Sequence, residues 1–277
     1  AHAGTEGPCA CSRCGGERIH RLVFSLRIWY DKQVFICPWV PHGHGREAAM
    51  GSLNGFLEHM DWFQLFLLLI GAVACLFCIT FHELAHGFAA YQLGDPTAKV
   101  NGRLTLNPIS HIDWIGLMLL LTVRVGWAKP VPVDMRNFRH PKRDMAITAL
   151  AGPAANFLLA TAALGVASLI YHFAPQGTVA AYAIYFFLYM AVLSVGLGIF
   201  NLVPIPPLDG SKILFALLPD RIYYQYLRYE RFFILAVVLL AWMGVFSVPL
   251  SFCMEGIVRG LCAVTAFPFQ LAQYYFF

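Results

Sequence analysis

His82-Glu83-Leu84-Ala85-His86 sets two imidazoles four residues apart, with a carboxylate directly after the first. On a helix, positions i and i+4 share a face, so His82 and His86 can hold one ion between them. Glu83 then lies beside that ion, placed to take a proton from water. The pattern is a zinc-hydrolase signature. It follows Trp62 to Phe81, 20 residues without a formal charge, a run long enough to cross a bilayer. Chemistry of this kind usually occupies a soluble cleft; here it falls inside, or at the edge of, a membrane span.

A lone pentapeptide of this form also arises by chance, and two histidines and a glutamate could simply pack inside a helix bundle. Ionisable groups at bilayer depth, however, cost about 2.5–3.5 kcal/mol or more when charged. Three of them at metal spacing need compensation, and a single zinc ion would supply it; zinc is preferred over other divalent ions on ligand type. A catalytic zinc takes three protein ligands and keeps a fourth position for water. Asp209 is the best candidate for the third. It is the first formal charge after Asp144, within Asn201-Leu-Val-Pro-Ile-Pro-Pro-Leu-Asp-Gly210, where three prolines prevent a regular helix. Broken helices at membrane depth frame binding sites. The rival reading of Asp209 is a plain helix cap, since Gly210 and Lys212 follow.

Asn156, in Gly152-Pro-Ala-Ala-Asn156, is the other conspicuous polar residue of this region. Its amide could hold a substrate strand or stabilise an oxyanion. It could equally make a helix–helix hydrogen bond of modest worth. The residue types leave that choice open.

The elements that must position these groups are membrane spans. Of 277 residues, 59% are hydrophobic and 12% charged, and the mean hydropathy is +0.64. Soluble domains carry about 25% charged residues, so the composition excludes an ordinary soluble domain and points to an integral membrane protein. Net charge is only +4, and no nucleic-acid partner is expected. Met145 to Leu208 contains no Asp, Glu, Lys or Arg in 64 residues; Phe232 to Met254 has none in 23 and Gly260 to Phe277 none in 18. Ala174-Pro-Gln-Gly-Thr178 divides the longest run into two spans. Cations crowd both its flanks, from Lys99 to Arg143 and from Lys212 to Arg231, while the turn has none. The positive-inside rule then puts both flanks in the cytoplasm and the turn outside.

We expect residues 1–49 to be a non-native or disordered extension, and 50–277 to be the membrane domain. Its expected spans are about 61–93, 146–173, 179–203, a partial one at 207–218, 232–254 and 258–276. Residues 1–49 lack a signal-peptide core and place six cations on what would be the outer side. A rival reading there is a small metal module, because Cys9, Cys11, Cys14, Cys37, His42 and His44 cluster. Without a second paired knuckle that signal is weak. Asn101-Gly102 between short β-prone runs predicts a hairpin over 97–106, and Trp127 to Val133 a further extended piece confined to an edge by its prolines. Such backbone near a membrane must be paired, buried or line a wet cavity, which suggests a substrate-binding edge; an ordinary cytoplasmic loop is the alternative. Ile109 to Val123 reads as re-entrant or interfacial.

Five ordered blocks carry a resemblance: His82 to His86, Gly102-Arg-Leu-Thr-Leu-Asn-Pro108, Gly126-Trp-Ala-Lys-Pro-Val-Pro-Val133, Ala151-Gly-Pro-Ala-Ala-Asn156 and Asn201 to Gly210. Together, over about 61–220, they resemble the site-2 protease family of intramembrane zinc metalloproteases, in its compact bacterial type without PDZ or CBS modules. The resemblance implies His82, His86 and Asp209 as zinc ligands, Glu83 as general base and Asn156 as an active-site polar residue. It also implies three core helices with the metal set toward the cytoplasmic side. The expected fold is an all-α polytopic membrane protein: a three-helix catalytic core, additional spans and a small membrane-associated β-hairpin or sheet. The expected function is hydrolysis of peptide bonds in or near transmembrane segments of a membrane-protein substrate, in the lipid bilayer of a bacterial cell (inner) membrane. A non-proteolytic metal-binding membrane protein, a zinc carrier or a degenerate scaffold, is the alternative. A carrier would need ionisable residues on several spans, and 145–208 offers no Asp, Glu, Lys or Arg.

Overall fold

The computed structural model describes residues 62–114, 129–175, 177–219, 221, 237, 240, 243 and 245–277. The first helix, α1, runs Trp62–Gln92. Leu, Phe and Ala dominate it and no proline interrupts it, so nothing stops propagation until Gly94, at φ 107°, and Asp95-Pro96. Its 31 residues rise about 46 Å, well over the roughly 30 Å of a bilayer core. A four-residue helical turn, α2 (Thr97–Val100), follows. Helix α3 covers Pro141–Phe173 and α4 Thr178–Leu202. Proline at the first position of α3 suits a helix start, and Asp144 reaches back to accept the N–H of His140 at 2.9 Å. A short helix α5 (Asp209–Ala216) comes next, then α6 (Ser247–Thr265) and α7 (Phe269–Phe276).

Among the described residues, α1, α3, α4 and α6 are long and apolar enough to cross a membrane. Helices α1, α3 and α4 pack against one another, α6 lies on α4 and α3, and α7 folds back on α6. Small side chains line the seams: Ala74 and Cys78 on α1, Ala160, Ala163 and Ala167 on α3, Ala191 on α4. Lipid tails are as apolar as leucine, so close backbone approach, rather than apolar burial, is what joins helices in a bilayer. Phe66, Leu69, Phe77, Leu158, Leu169 and Phe252 point outward and are exposed. An exterior of that kind suits lipid, not water.

Two expectations are corrected. Residues 97–106 form no hairpin, and no strand occurs among the described residues. Asn101-Gly102 instead closes α2. Gly102 adopts φ 65°, its N–H reaches the carbonyl of Lys99 at 3.0 Å, and that of Arg103 reaches Ala98 at 2.9 Å. This is a helix C-terminus of the Schellman type, which uses the same left-handed glycine as a hairpin turn. Asp95 decides between the two by accepting the N–H of Thr97 at 3.0 Å, starting a helical turn. The end of the chain also divides differently. The break expected near 254–258 falls inside α6, which ends at Ala266 in a left-handed conformation. The expectations for 1–49, for most of 109–126 and for most of 232–246 lie outside the described residues.

Candidate metal centre

Two helix faces meet at the centre of the three-helix core. His82 and His86 form one face of α1; Thr148, Gly152 and Asn156, also four apart, form the facing stripe of α3. Nδ1 of His86 lies 2.7 Å from the carbonyl oxygen of Thr148. A carbonyl only accepts, so Nδ1 is the donor and Nε2 of a neutral imidazole keeps its lone pair. Nδ1 of His82 lies 3.0 Å from the side-chain amide of Asn156, which is completely buried. Gly152 lies between these contacts. A Cβ there would stand 2.4 Å from Nε2 of His86 and 2.7 Å from Cε1 of His82, so only glycine lets the helices close to this distance.

Asp209 is the first residue of α5, beyond the proline-broken Pro204–Pro207 turn. Its Oδ2 lies 3.2 Å from Nε2 of His82 and 3.0 Å from Nε2 of His86, and the two Nε2 atoms are 3.0 Å apart. All three residues are buried. Lys212, one turn on, contacts Oδ1 of Asp209 at 3.2 Å, leaving Oδ2 to the histidines.

This triangle fits a metal ion on chemical grounds. With His86 in the tautomer fixed by Thr148, lone pairs of a neutral imidazole and of a carboxylate face each other at hydrogen-bond distance with no proton of their own to share. A cation resolves that repulsion. The edges also match: ligands about 2.0–2.1 Å from a tetrahedral zinc lie about 3.3 Å apart. His82, His86 and Asp209 form the one such group among the described residues.

Glu83 is next to His82 but faces another neighbour: its Oε2 accepts the backbone N–H of Val131 at 2.9 Å. Val131 belongs to the irregular stretch 129–134 rather than to a strand. That stretch is tied to the end of α1 by Asp95, which is fully buried and whose Oδ2 accepts the N–H of Asp134 at 2.7 Å. Burial alone would raise the Asp95 carboxyl. Hydrogen bonds from the side chains of Thr97 and Asn137 and from two backbone N–H groups outweigh it and hold the carboxyl below the ordinary carboxylate range. The half-buried Asp134 is brought to about 2 by its hydrogen bonds with Arg136.

The structure thus gathers His82, His86, Asp209 and Asn156 into direct contact, with Glu83 alongside. Of the readings left open for Asn156, the geometry favours a cross-helix hydrogen bond, made to one of the two histidines. Sequence reasoning missed the Thr148 carbonyl and the role of Gly152. The repeat of four-residue spacing in 148, 152 and 156, matching 82 and 86, was the available signal. It also missed Val131, whose N–H is the only one between Lys129 and Val133 because Pro130 and Pro132 flank it.

Comparison with known proteins is consistent with this centre. The sequence pattern of peptidase family M50 matches residues 165–244, a stretch that includes Asp209. YwhC of Bacillus subtilis (strain 168), provisionally named a zinc metalloprotease, is 37% identical over 166 residues, covering 59% of this chain and 75% of YwhC. The proteins named Rip2 from Mycolicibacterium smegmatis and Mycobacterium tuberculosis, with the same provisional description, are each 31% identical. Those matches cover 60% of this chain and 65% and 64% of the respective relatives. No solved structure matches the chain.

Proposed function

The chain belongs to peptidase family M50, and on that premise we propose that it is an intramembrane zinc metalloprotease, hydrolysing peptide bonds in or next to transmembrane segments of membrane proteins. The observation that carries this reading is the buried triangle of His82, His86 and Asp209, with Glu83 adjoining it, on a helix apolar enough to cross a bilayer.

His82 and His86 would hold the ion through Nε2 and Asp209 through Oδ2. Zinc, when bound, polarises the scissile carbonyl and brings the pKa of water toward about 7. Glu83 takes the proton of the attacking water and delivers it to the leaving amine. Thr148 keeps the proton of His86 on Nδ1. Asn156 meets Nδ1 of His82 through its amide nitrogen at 3.0 Å, while its oxygen has no partner; turning the amide over would bring that oxygen to Nδ1 and fix the same tautomer as in His86. Asn156 is therefore assigned a positioning role rather than contact with substrate. Substrate must be unwound locally, because the peptide bonds of an intact helix are shielded from attack.

The membrane is the natural setting. His82 lies 20 residues from Trp62, about 30 Å of helical rise, and 10 residues from Gln92, about 15 Å. The groups that bind water and peptide are thus within the helical length that spans lipid. The bacterial origin of the relatives supports placement in a bacterial cell membrane.

The test uses purified protein in lipid vesicles with a transmembrane substrate. A chelator is expected to stop cleavage, and zinc added back to restore it. Undiminished cleavage by protein shown to be free of metal would remove the basis of this function.

A further inference from the structure

The stretch Lys129–Asp134 is fastened at three points, and two of the fasteners arise just past the end of α1, the helix that carries Glu83. Arg103, only 8% exposed, donates through Nη2 to the carbonyl of Lys129 at 2.7 Å and of Pro130 at 3.4 Å, and through Nη1 to that of Ser110. The N–H of Lys129 reaches the carbonyl of His111 at 3.0 Å. Asp95 holds Asp134 at the other end. Between the clamps, Pro130 and Pro132 have no N–H, so across 130–132 the one donor is Val131, and it goes to Oε2 of Glu83.

We propose that residues 129–134 are a brace that positions the Glu83 carboxylate for proton transfer, with the Val131 N–H as its contact and Arg103 as the positioning residue that holds it there. The inference rests on Glu83 acting as the base. A carboxylate on a flexible side chain has several rotamers, and a backbone donor on a clamped segment selects one of them. Oε2 is occupied by that donor, which leaves Oε1 for the proton. The two prolines stiffen the segment and remove donors that could pair it with a neighbouring strand. The same contact could instead be a latch that blocks the base until substrate displaces it. Brace and latch predict opposite signs.

The experiment uses the full chain, zinc-loaded, in lipid vesicles. The Val131 peptide N–H is replaced by an ester oxygen, through incorporation of the α-hydroxy analogue of valine; Arg103→Ala and Arg103→Lys are made separately. A brace predicts that the ester and Arg103→Ala lower kcat by about 10- to 100-fold, with KM within about twofold and zinc content unchanged. Arg103→Lys, which cannot reproduce the forked contact to several carbonyls, should recover only part of the loss. Combined with Glu83→Gln, either change should cost nothing further, since both act through one carboxylate. Hydrogen exchange gives a readout apart from activity: Glu83→Ala should speed exchange at the Val131 amide while the α1 core stays protected. A kcat that rises in the ester variant would overturn the brace in favour of a latch. A wild-type kcat in the ester and Arg103→Ala, alongside an inactive Glu83→Gln, would also sink it while leaving the proposed function intact. An active Glu83→Gln would instead defeat the reading on which the brace depends.

Discussion

The carbonyl oxygen of Thr148 on α3 lies 2.7 Å from Nδ1 of His86 on α1. That one contact assigns the neutral imidazole its tautomer, because a carbonyl can only accept, and so leaves the lone pair on Nε2, the nitrogen that faces Asp209. A ligand histidine is thereby prepared by backbone, not by a side chain that substitution could remove. The arrangement depends on how closely α3 approaches α1.

Gly152 sets that approach. Gly152→Ala adds a methyl at 2.4 Å from Nε2 of His86, so the imidazoles must turn or the helices part. The helix itself should tolerate alanine, which is the better helix former by about 1 kcal/mol. The expected outcome is a folded protein whose zinc affinity, measured by chelator competition, is weaker by about 10- to 100-fold or more. Wild-type affinity would mean that the close contact does not constrain the ligands.

Asn156→Leu replaces the buried amide beside His82 with an apolar group of similar size. Removing the partner that fixes a ligand histidine typically weakens metal binding about 10- to 100-fold. Asn156→Gln should not rescue, since the longer side chain does not fit a completely buried position. The informative comparison is kcat per bound zinc. A positioning role predicts that much of the activity returns when zinc is raised to saturation. An oxyanion role predicts that kcat stays low at any zinc concentration.

Asp95 gives a prediction with a definite sign in pH. Its folded carboxyl is held below the ordinary range, so the folded state binds a proton less readily than the unfolded chain. The resulting stability is present above the unfolded value of about 3.9 and is lost as pH falls through the depressed folded value. At neutral pH, Asp95→Asn should destabilise the protein by about 1–3 kcal/mol, because an amide N–H would oppose the donors it now accepts. Thermal unfolding of both proteins should show that gap closing as the pH is lowered below about 4. A gap constant down to acid pH would argue that the Asp95 charge plays no part.

Much of the site was legible because its chemistry is local. His82, Glu83 and His86 declare themselves by helical spacing, and Asp209 by ending a 64-residue neutral run. The long helices α1, α3 and α4 were legible because a bilayer leaves little choice: apolar length becomes helix. The hairpin was misread because Asn-Gly serves helix ends and β-turns alike through the same left-handed glycine, and the deciding hydrogen bond comes from Asp95, six residues before Asn101. The Thr148 carbonyl and the Val131 N–H are backbone groups and carry no residue-type signal. Their roles depend on which faces meet, and that is a property of packing.

The most direct test is a paired measurement of metal content and cleavage on the wild type, Glu83→Gln and Asp209→Ala, each purified in lipid with a transmembrane substrate. About one zinc per chain is expected in the wild type and in Glu83→Gln, and little in Asp209→Ala. Cleavage should fall by about 10²- to 10⁴-fold in Glu83→Gln, the usual worth of a general base, and should disappear in Asp209→Ala. A Glu83→Gln protein that cleaves at the wild-type rate, or an Asp209→Ala protein that keeps its zinc, would contradict the assignment of this centre.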